Sequence, residues 1–219
     1  MHIEIREIAA IPEDLADQMR CLYERSFHPE ETRDWAGMTE SLGGDSLGRT
    51  RMTLATRDHA IMGLSIFRYH PDQEFGYLWY LCVDESTRGT GIGGKLFRAT
   101  VDALTAVARE NGRRIKGMMF EISRLDSQSH PVYGDPHRRL RFYERLGARM
   151  IMGYDYRQPP IPPYPDEVPL ELMFRPIDLP ESACAQDELA TLVRNFLLHC
   201  QGREAQVNPS ALSLRPPGS

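Results

Sequence analysis

The residues with the clearest chemistry in this chain are Arg88-Gly89-Thr90-Gly91-Ile92-Gly93-Gly94-Lys95. Four glycines within six positions let a backbone take positive φ and approach a ligand with no Cβ in the way. Leu96, Ala99, Ala103, Leu104 and Val107 follow at helical spacing, so the glycines open an amphipathic helix. The unbonded amides of a helix N-terminus, with the helix dipole behind them, attract an anion such as phosphate. The element before the turn must aim it. Leu78–Val83, apolar and aromatic, has the composition of a buried strand, and the polar stretch Asp84–Thr87 leads from it into the glycines.

Three anion-binding patterns overlap here. Gly89-x-Gly91-x-x-Gly94 fits the dinucleotide fingerprint, with Glu121 ending the next strand as that fold requires. Gly89-x-x-x-x-Gly94-Lys95 approaches a P-loop, but Leu96 stands where a hydroxyl would hold magnesium. The run Arg88–Gly93 resembles the Arg/Gln-x-x-Gly-x-Gly/Ala signature of the GNAT N-acetyltransferases, which cradles the pyrophosphate of acetyl-CoA. Its lead-in, Leu81-Cys82-Val83-Asp84-Glu85-Ser86-Thr87, is similar to that family's strand and β-bulge.

A length of 219 residues suits one domain with extensions, and 41% hydrophobic residues are enough for a sizeable core. A formal charge of −5 argues against nucleic acid as the main partner and suits a cationic acceptor. Cys21, Cys82, Cys184 and Cys200 lack zinc or disulfide spacing, so no metal is expected, and Cys82 sits in an apolar run as a core residue would. The N-terminus has no signal-peptide pattern and no apolar run approaches membrane-spanning length, which makes the cytoplasm the default expectation.

In chain order, Ile3 and Ile5 alternate as in a half-buried strand, and Pro12 opens a helix carrying Leu15, Met19, Leu22 and Tyr23 on one face. A short helix is expected within 32–47. Residues 51–57 and 60–69 form a hairpin across Asp58-His59, and His70-Pro71-Asp72 turns into the central strand. The glycine-turn helix ends at Asn111–Gly112, and the strand Ile115–Ile122 lies parallel to the central one because a helix connects them. A polar loop, 123–135, precedes a helix from Pro136 to Gly147 and a strand over 148–156. The proline-dense stretch 158–169 is an extended connection or lid, followed by a strand over 170–174. Residues 177–203 hold a C-terminal helix expected to pack on its own domain, a homodimer contact being the alternative. Residues 204–219 have the composition of a disordered tail.

This element order is similar to the GNAT fold over roughly residues 1–176: a mixed α/β (α+β) domain with a mostly antiparallel sheet flanked by helices and one parallel β-α-β crossover. Arg141-Phe142-Tyr143-Glu144-Arg145-Leu146-Gly147-Ala148 resembles the family's second hallmark, a helix bearing Tyr near its end, then Gly and a strand. Pro136 and Arg139 depart from the Asn and small residue that many relatives carry in this helix. The resemblance implies direct acetyl transfer from acetyl-CoA to a primary amine. It places Arg88, Gly89, Thr90, Gly91, Ile92, Gly93, Gly94 and Lys95 around the pyrophosphate and Leu81, Cys82 and Val83 along the pantetheine arm. It makes Tyr143 the proton donor to the leaving thiolate. Amine attack also needs a proton removed, by a dedicated base or through water. Some relatives use a Glu in the central strand, where Tyr77 stands here, and Glu121 is the best remaining candidate because burial in an apolar run raises a carboxyl pKa. Asp126, Tyr133 and Asp135 are loop candidates for substrate contact. The alternatives are a non-catalytic CoA-binding module and an NAD(P)-dependent oxidoreductase.

Overall fold

A computed structural model describes residues 3–42, 49–129, 134–180, 184–216 and 218. Among these residues, nine strands form one sheet: β1 Glu4–Ile8, β2 Arg49–Arg57, β3 Ala60–His70, β4 Phe75–Val83, β5 Gly117–Ser123, β6 Arg149–Met152, β7 Arg157–Gln158, β8 Val168–Pro176 and β9 Ser213–Leu214. Their order is β1-β2-β3-β4-β5-β8-β6-β9, with β7 beside β8. The helices are α1 Ala16–Glu24, α2 Trp35–Glu40, α3 Ile92–Glu110, α4 Pro136–Arg145 and α5 Gln186–Gln201. β2 and β3 are joined by Asp58 and His59, both at positive φ (50° and 62°), as a two-residue hairpin turn requires.

β4 and β5 are parallel, as the helical crossover demands, whereas the other paired strands run antiparallel. The parallel ladder is short. It joins Phe75–Tyr77 to Gly117–Met119, after which each strand keeps only its outer neighbour. A gap therefore opens between the C-terminal parts of β4 and β5. The register of β3 on β4 slips at Trp79, where Ile66 faces Tyr80 but Phe67 faces Leu78. The bulge lies in β4 itself, upstream of the Leu81–Thr87 lead-in where the sequence pattern puts it.

Period-2 alternation divides the core between the two faces. Met118, Phe120 and Ile122 of β5 pack with Phe97 and Leu104 of α3 and Leu140 and Tyr143 of α4. On the other face, Leu54, Leu64 and Ile66 pack with Met19, Leu22 and Tyr23 of α1 and Met38 of α2. Beside them, Met119, Leu172 and Phe174 pack with Leu192, Val193 and Phe196 of α5.

Two readings change. The strand expected over 148–156 stops at Met152, because Gly153 (φ 85°) turns the chain where a Cβ would fall 1.9 Å from the Ala211 carbonyl oxygen. Of the segment 204–219, expected as a disordered tail, residues 204–214 instead return to the sheet. Val207 and Leu212 are buried with the α5 cluster, and Ser213–Leu214 pair with Ile151–Met152. Its polar, proline-containing composition conceals an apolar spacing that suffices to anchor it.

Candidate active site

The glycine turn is held rigidly from behind. The Asp84 carboxylate accepts from the Ser86 amide at 3.0 Å, accepts also from the Ser86 hydroxyl, and pairs with Arg25. These bonds, the Ser86 hydroxyl foremost, hold its pKa below the usual carboxylate range. Thr87 and Thr90 each donate a hydroxyl back to a carbonyl within the turn, at 2.8 and 2.6 Å. Gly89 and Gly91 then adopt φ of 82° and 85°, and a Cβ at either would meet no atom within 4 Å. The space over the turn is open, and α3 begins at Ile92 with its first amides facing it. Arg88, Arg98, Arg138 and Arg145 line the same cavity, and Arg139 lines it further along, donating to the Ser123 hydroxyl at 2.9 Å. Glycine turn, helix N-terminus and arginines together fit a ligand carrying several phosphates.

From the turn a cavity of about 980 Å³ runs along β4 into the gap. The Asp84 amide donates to Met62 of β3 at 2.9 Å. Alternation of backbone direction then turns the amides of Leu81 and Val83 away from β3, towards the open edge. An extended arm can add to this edge as a further strand does. The cradle thus fits CoA: phosphates at the turn, arm along β4. Tyr143 borders the gap from the α4 side among the rings of Phe120, Phe142 and Phe97, with centroids 4.6, 4.9 and 5.4 Å away. Burial pushes its hydroxyl up to about 12, so it carries its proton at neutral pH and can donate it.

Glu121 lies on the opposite face. β5 places it two residues beyond Met119, the partner of Tyr77 across the parallel ladder. Its Oε1 accepts from the Tyr77 hydroxyl at 2.9 Å, the Tyr156 hydroxyl at 2.7 Å and Gln201 Nε2 at 3.2 Å. Desolvation dominates over these bonds and pushes the carboxyl up to about 7, within the useful range for a base at neutral pH. Glu31 borders the same end, and burial pushes it up to about 7 as well, against the pull of Arg139. Gln158 donates to the Glu30 carbonyl at 3.2 Å and, with Pro159, Pro160 and Ile161, walls the cavity there. The proline-dense stretch is thus part of the site's wall.

Leu81, Cys82, Val83, Arg88, Gly89, Gly91, Ile92, Gly93 and Gly94 line the cavity. Thr90 and Lys95 do not: Thr90 braces the turn, and Lys95 lies in the helix behind it. The Cys82 side chain packs under the α1 cluster, where burial pushes its thiol up to about 12. Asp135 borders the cavity while capping α4 through the His137 amide at 2.9 Å. Asp126 pairs with Arg124 outside the cavity, and Tyr133 falls outside the described residues. Sequence reasoning missed Tyr156, Gln201, Glu31 and the contact of Tyr77 with Glu121. The available signal was Glu121 itself, a carboxylate in an apolar run that must find hydrogen-bond donors elsewhere.

Comparison with known proteins agrees with this geometry. Residues 48–147 match the family described as the acetyltransferase (GNAT) domain. That match spans a little under half of the chain. The matched segment contains β4, the glycine turn, α3, β5 and α4, the parts that build the cofactor cradle and carry Tyr143 and Glu121. A GNAT-family protein from Bacteroides thetaiotaomicron is 22% identical, with a TM-score of 0.65 over 91% of this chain and 99% of its own. The ribosomal-protein-S18-alanine N-acetyltransferase of Escherichia coli is 15% identical (TM-score 0.52, 80% and 94% covered). An aminoglycoside 6′-N-acetyltransferase complexed with coenzyme A is 19% identical (TM-score 0.56, 79% and 96% covered). No curated protein matches the sequence. This GNAT sheet, antiparallel apart from β4–β5, is not the parallel sheet of a dinucleotide fold. Among the described residues, no group of three or more His, Cys, Asp or Glu could hold a metal, and no helix is long and apolar enough to cross a membrane.

Proposed function

We propose that this GNAT domain transfers the acetyl group of acetyl-CoA directly to a primary amine, with Glu121 as proton acceptor and Tyr143 as proton donor. The observation that carries the reading is their placement. A partly buried, desolvated carboxylate and a buried phenol line one cavity from opposite faces of the sheet, at the end of an open strand edge leading from a glycine turn that suits phosphate.

Acetyl-CoA supplies an activated acyl carbon held by a thioester. The amides of Leu81 and Val83 align the pantetheine arm, while Ile92, Gly93 and Gly94 at the N-terminus of α3, with Arg88, hold the pyrophosphate. Glu121 takes the proton from the attacking amine as the C–N bond forms, and a backbone amide of β4 near the Trp79 bulge stabilises the developing oxyanion. As the C–S bond breaks, Tyr143 gives its proton to the departing sulfur and later recovers one from solvent, to which Glu121 releases the proton it took. No covalent enzyme intermediate forms. An amine acceptor is consistent with the E. coli and aminoglycoside enzymes, both named as N-acetyltransferases. Among the described residues no disulfide joins Cys21, Cys82, Cys184 or Cys200, which suits a reducing compartment such as the cytoplasm.

The test is turnover with acetyl-CoA across a panel of small-molecule, peptide and protein amines, following free thiol and acetylated product in parallel. The reading expects one acetylamide for every thiol released. No product from any amine, with CoA binding intact, would leave a CoA-binding module without transfer chemistry.

A further inference from the structure

The helix that lies outside the matched domain reaches into its chemistry. Gln201 is the last residue of α5, and its Nε2 lies 3.2 Å from Glu121 Oε1 and 3.3 Å from the Tyr77 hydroxyl. Its backbone is fixed from both sides. Gly202, at φ 65°, closes the helix, its amide and that of Arg203 both donating to the Leu197 carbonyl. Arg203 then ties this end to β7 by donating to the Arg157 carbonyl at 2.6 Å, and to the chain before β8 by pairing with Glu167 at 3.0 Å. Five residues back, Phe196 packs edge-on against Tyr77 (4.9 Å) and beside Tyr156 (5.8 Å). The C-terminal end of one helix therefore seats both tyrosines and supplies the third donor to the carboxylate.

We propose that Gln201 is a positioning residue for Glu121: with Tyr77 and Tyr156 it fixes Oε1 and leaves Oε2 to exchange the proton with the acceptor amine. Three donors on one oxygen set the rotation of the carboxyl group, and each favours its charged form against the desolvation that opposes it. The other titratable groups acting on Glu121 are Glu31 from the turn before α2, Tyr80 on β4 and Cys200 on α5. Tyr80 and Cys200 are neutral near pH 7, whereas Glu31 titrates in the same window, and His70 stands behind Cys200 at 3.3 Å. The inference rests on Glu121 as the proton acceptor, but Gln201 can be tested independently of it.

The experiment titrates the full chain carrying ¹³C-carboxyl glutamate. The Glu121 resonance is assigned by its loss in Glu121→Gln, and the Glu31 resonance by its loss in Glu31→Gln. Gln201→Met keeps the length of the side chain and removes its donor. The Glu121 midpoint should rise by about half a pH unit, and the acidic limb of kcat/KM should follow, lowering the rate at pH 6 about threefold and much less at pH 9. Gln201→Lys returns a donor with a positive charge and should move the midpoint the other way, an opposite sign that loss of packing alone would not produce. Both variants should keep the melting shift given by acetyl-CoA. A Glu121 midpoint unchanged in both folded variants overturns the proposal. A midpoint that moves while the kcat/KM limb stays would uphold the positioning role and remove Glu121 as the base.

Discussion

The two ends of the cavity are built in different ways. The CoA end comes from a nearly continuous stretch, β4 through the glycine turn into α3, with α4 added; its shape follows from glycines, a helix start and one bulge. The acceptor end takes Glu31, Tyr77, Glu121, Tyr156 with Gln158, and Gln201 from five separate places in the chain. A diphosphate can be held by backbone amides, which any sequence provides once it folds into a turn of this kind. A proton acceptor needs a particular side chain in a desolvated place, and desolvation requires many elements to close around it. The CoA end can therefore be shared across a fold while the acceptor end is assembled anew by each chain.

The largest expected effect tests the local end. A ligand that binds only the folded state stabilises it by about 2.7 kcal/mol at a hundredfold excess over Kd, which is about 5–10 °C in Tm for a chain of this size. Acetyl-CoA and free CoA should both give such a shift, whereas NAD and Mg-ATP, which lack the pantetheine arm, should give much less. Gly91→Glu should abolish it, since it forces a side chain into φ 85° and sets negative charge over the open turn. A larger shift with NAD or Mg-ATP would break the comparison at its first term.

Tyr143→Phe tests the seam between the ends. The ring stays packed on Phe120 and Phe142, so CoA binding should hold while kcat falls about 10²-fold or more. Unchanged kcat in a folded variant would remove Tyr143 from the reaction. Smaller again is the cost of loosening the distant end. Leu212→Ala opens a hole under α5 and should destabilise by about 2–3 kcal/mol, read by urea denaturation. A loss under about 0.5 kcal/mol would mean that segment 204–214 contributes no packing.

The last effect has the opposite sign. Glu121 has its pKa raised to about 7 in the folded protein, so folding binds a proton between the unfolded carboxylate value and 7. The stability this gives is fully present below the unfolded pKa and is lost as pH rises through 7. Glu121→Gln should therefore stabilise the protein at pH 8, by at most about 3 kcal/mol, and change little at pH 4. Equal Tm differences at both pH values would mean that Glu121 is not held as a desolvated carboxylate.

Most of the fold was legible because its signals are local. Asp58-His59, Gly112 and Gly147 punctuate the elements, and the helix between β4 and β5 dictates a parallel pair. The glycine turn was legible for the same reason. The Trp79 bulge was not, since it depends on how β3 slides against β4. Nor was the Glu121 network: Tyr77 meets it through the β4–β5 register, Tyr156 through the stretch after Gly153, and Gln201 through the docking of α5. In α5 the apolar stripe reads as packing, and nothing in the helical period marks its last polar residue as a donor to a strand eighty positions away. The tail was misread because Val207, Leu212 and Leu214 are too sparse to register as an element until Gly153 opens the sheet edge to them.

The central claim is that the acceptor amine loses its proton to Glu121, and the pH dependence of kcat/KM tests it most directly. With acetyl-CoA saturating, the wild type should rise along an acidic limb centred near 7. Glu121→Gln should be slower by about 10²-fold and should lose that limb. Glu31→Gln, which removes the other carboxyl raised to about 7, should keep it. A limb that survives unchanged in Glu121→Gln would contradict the account.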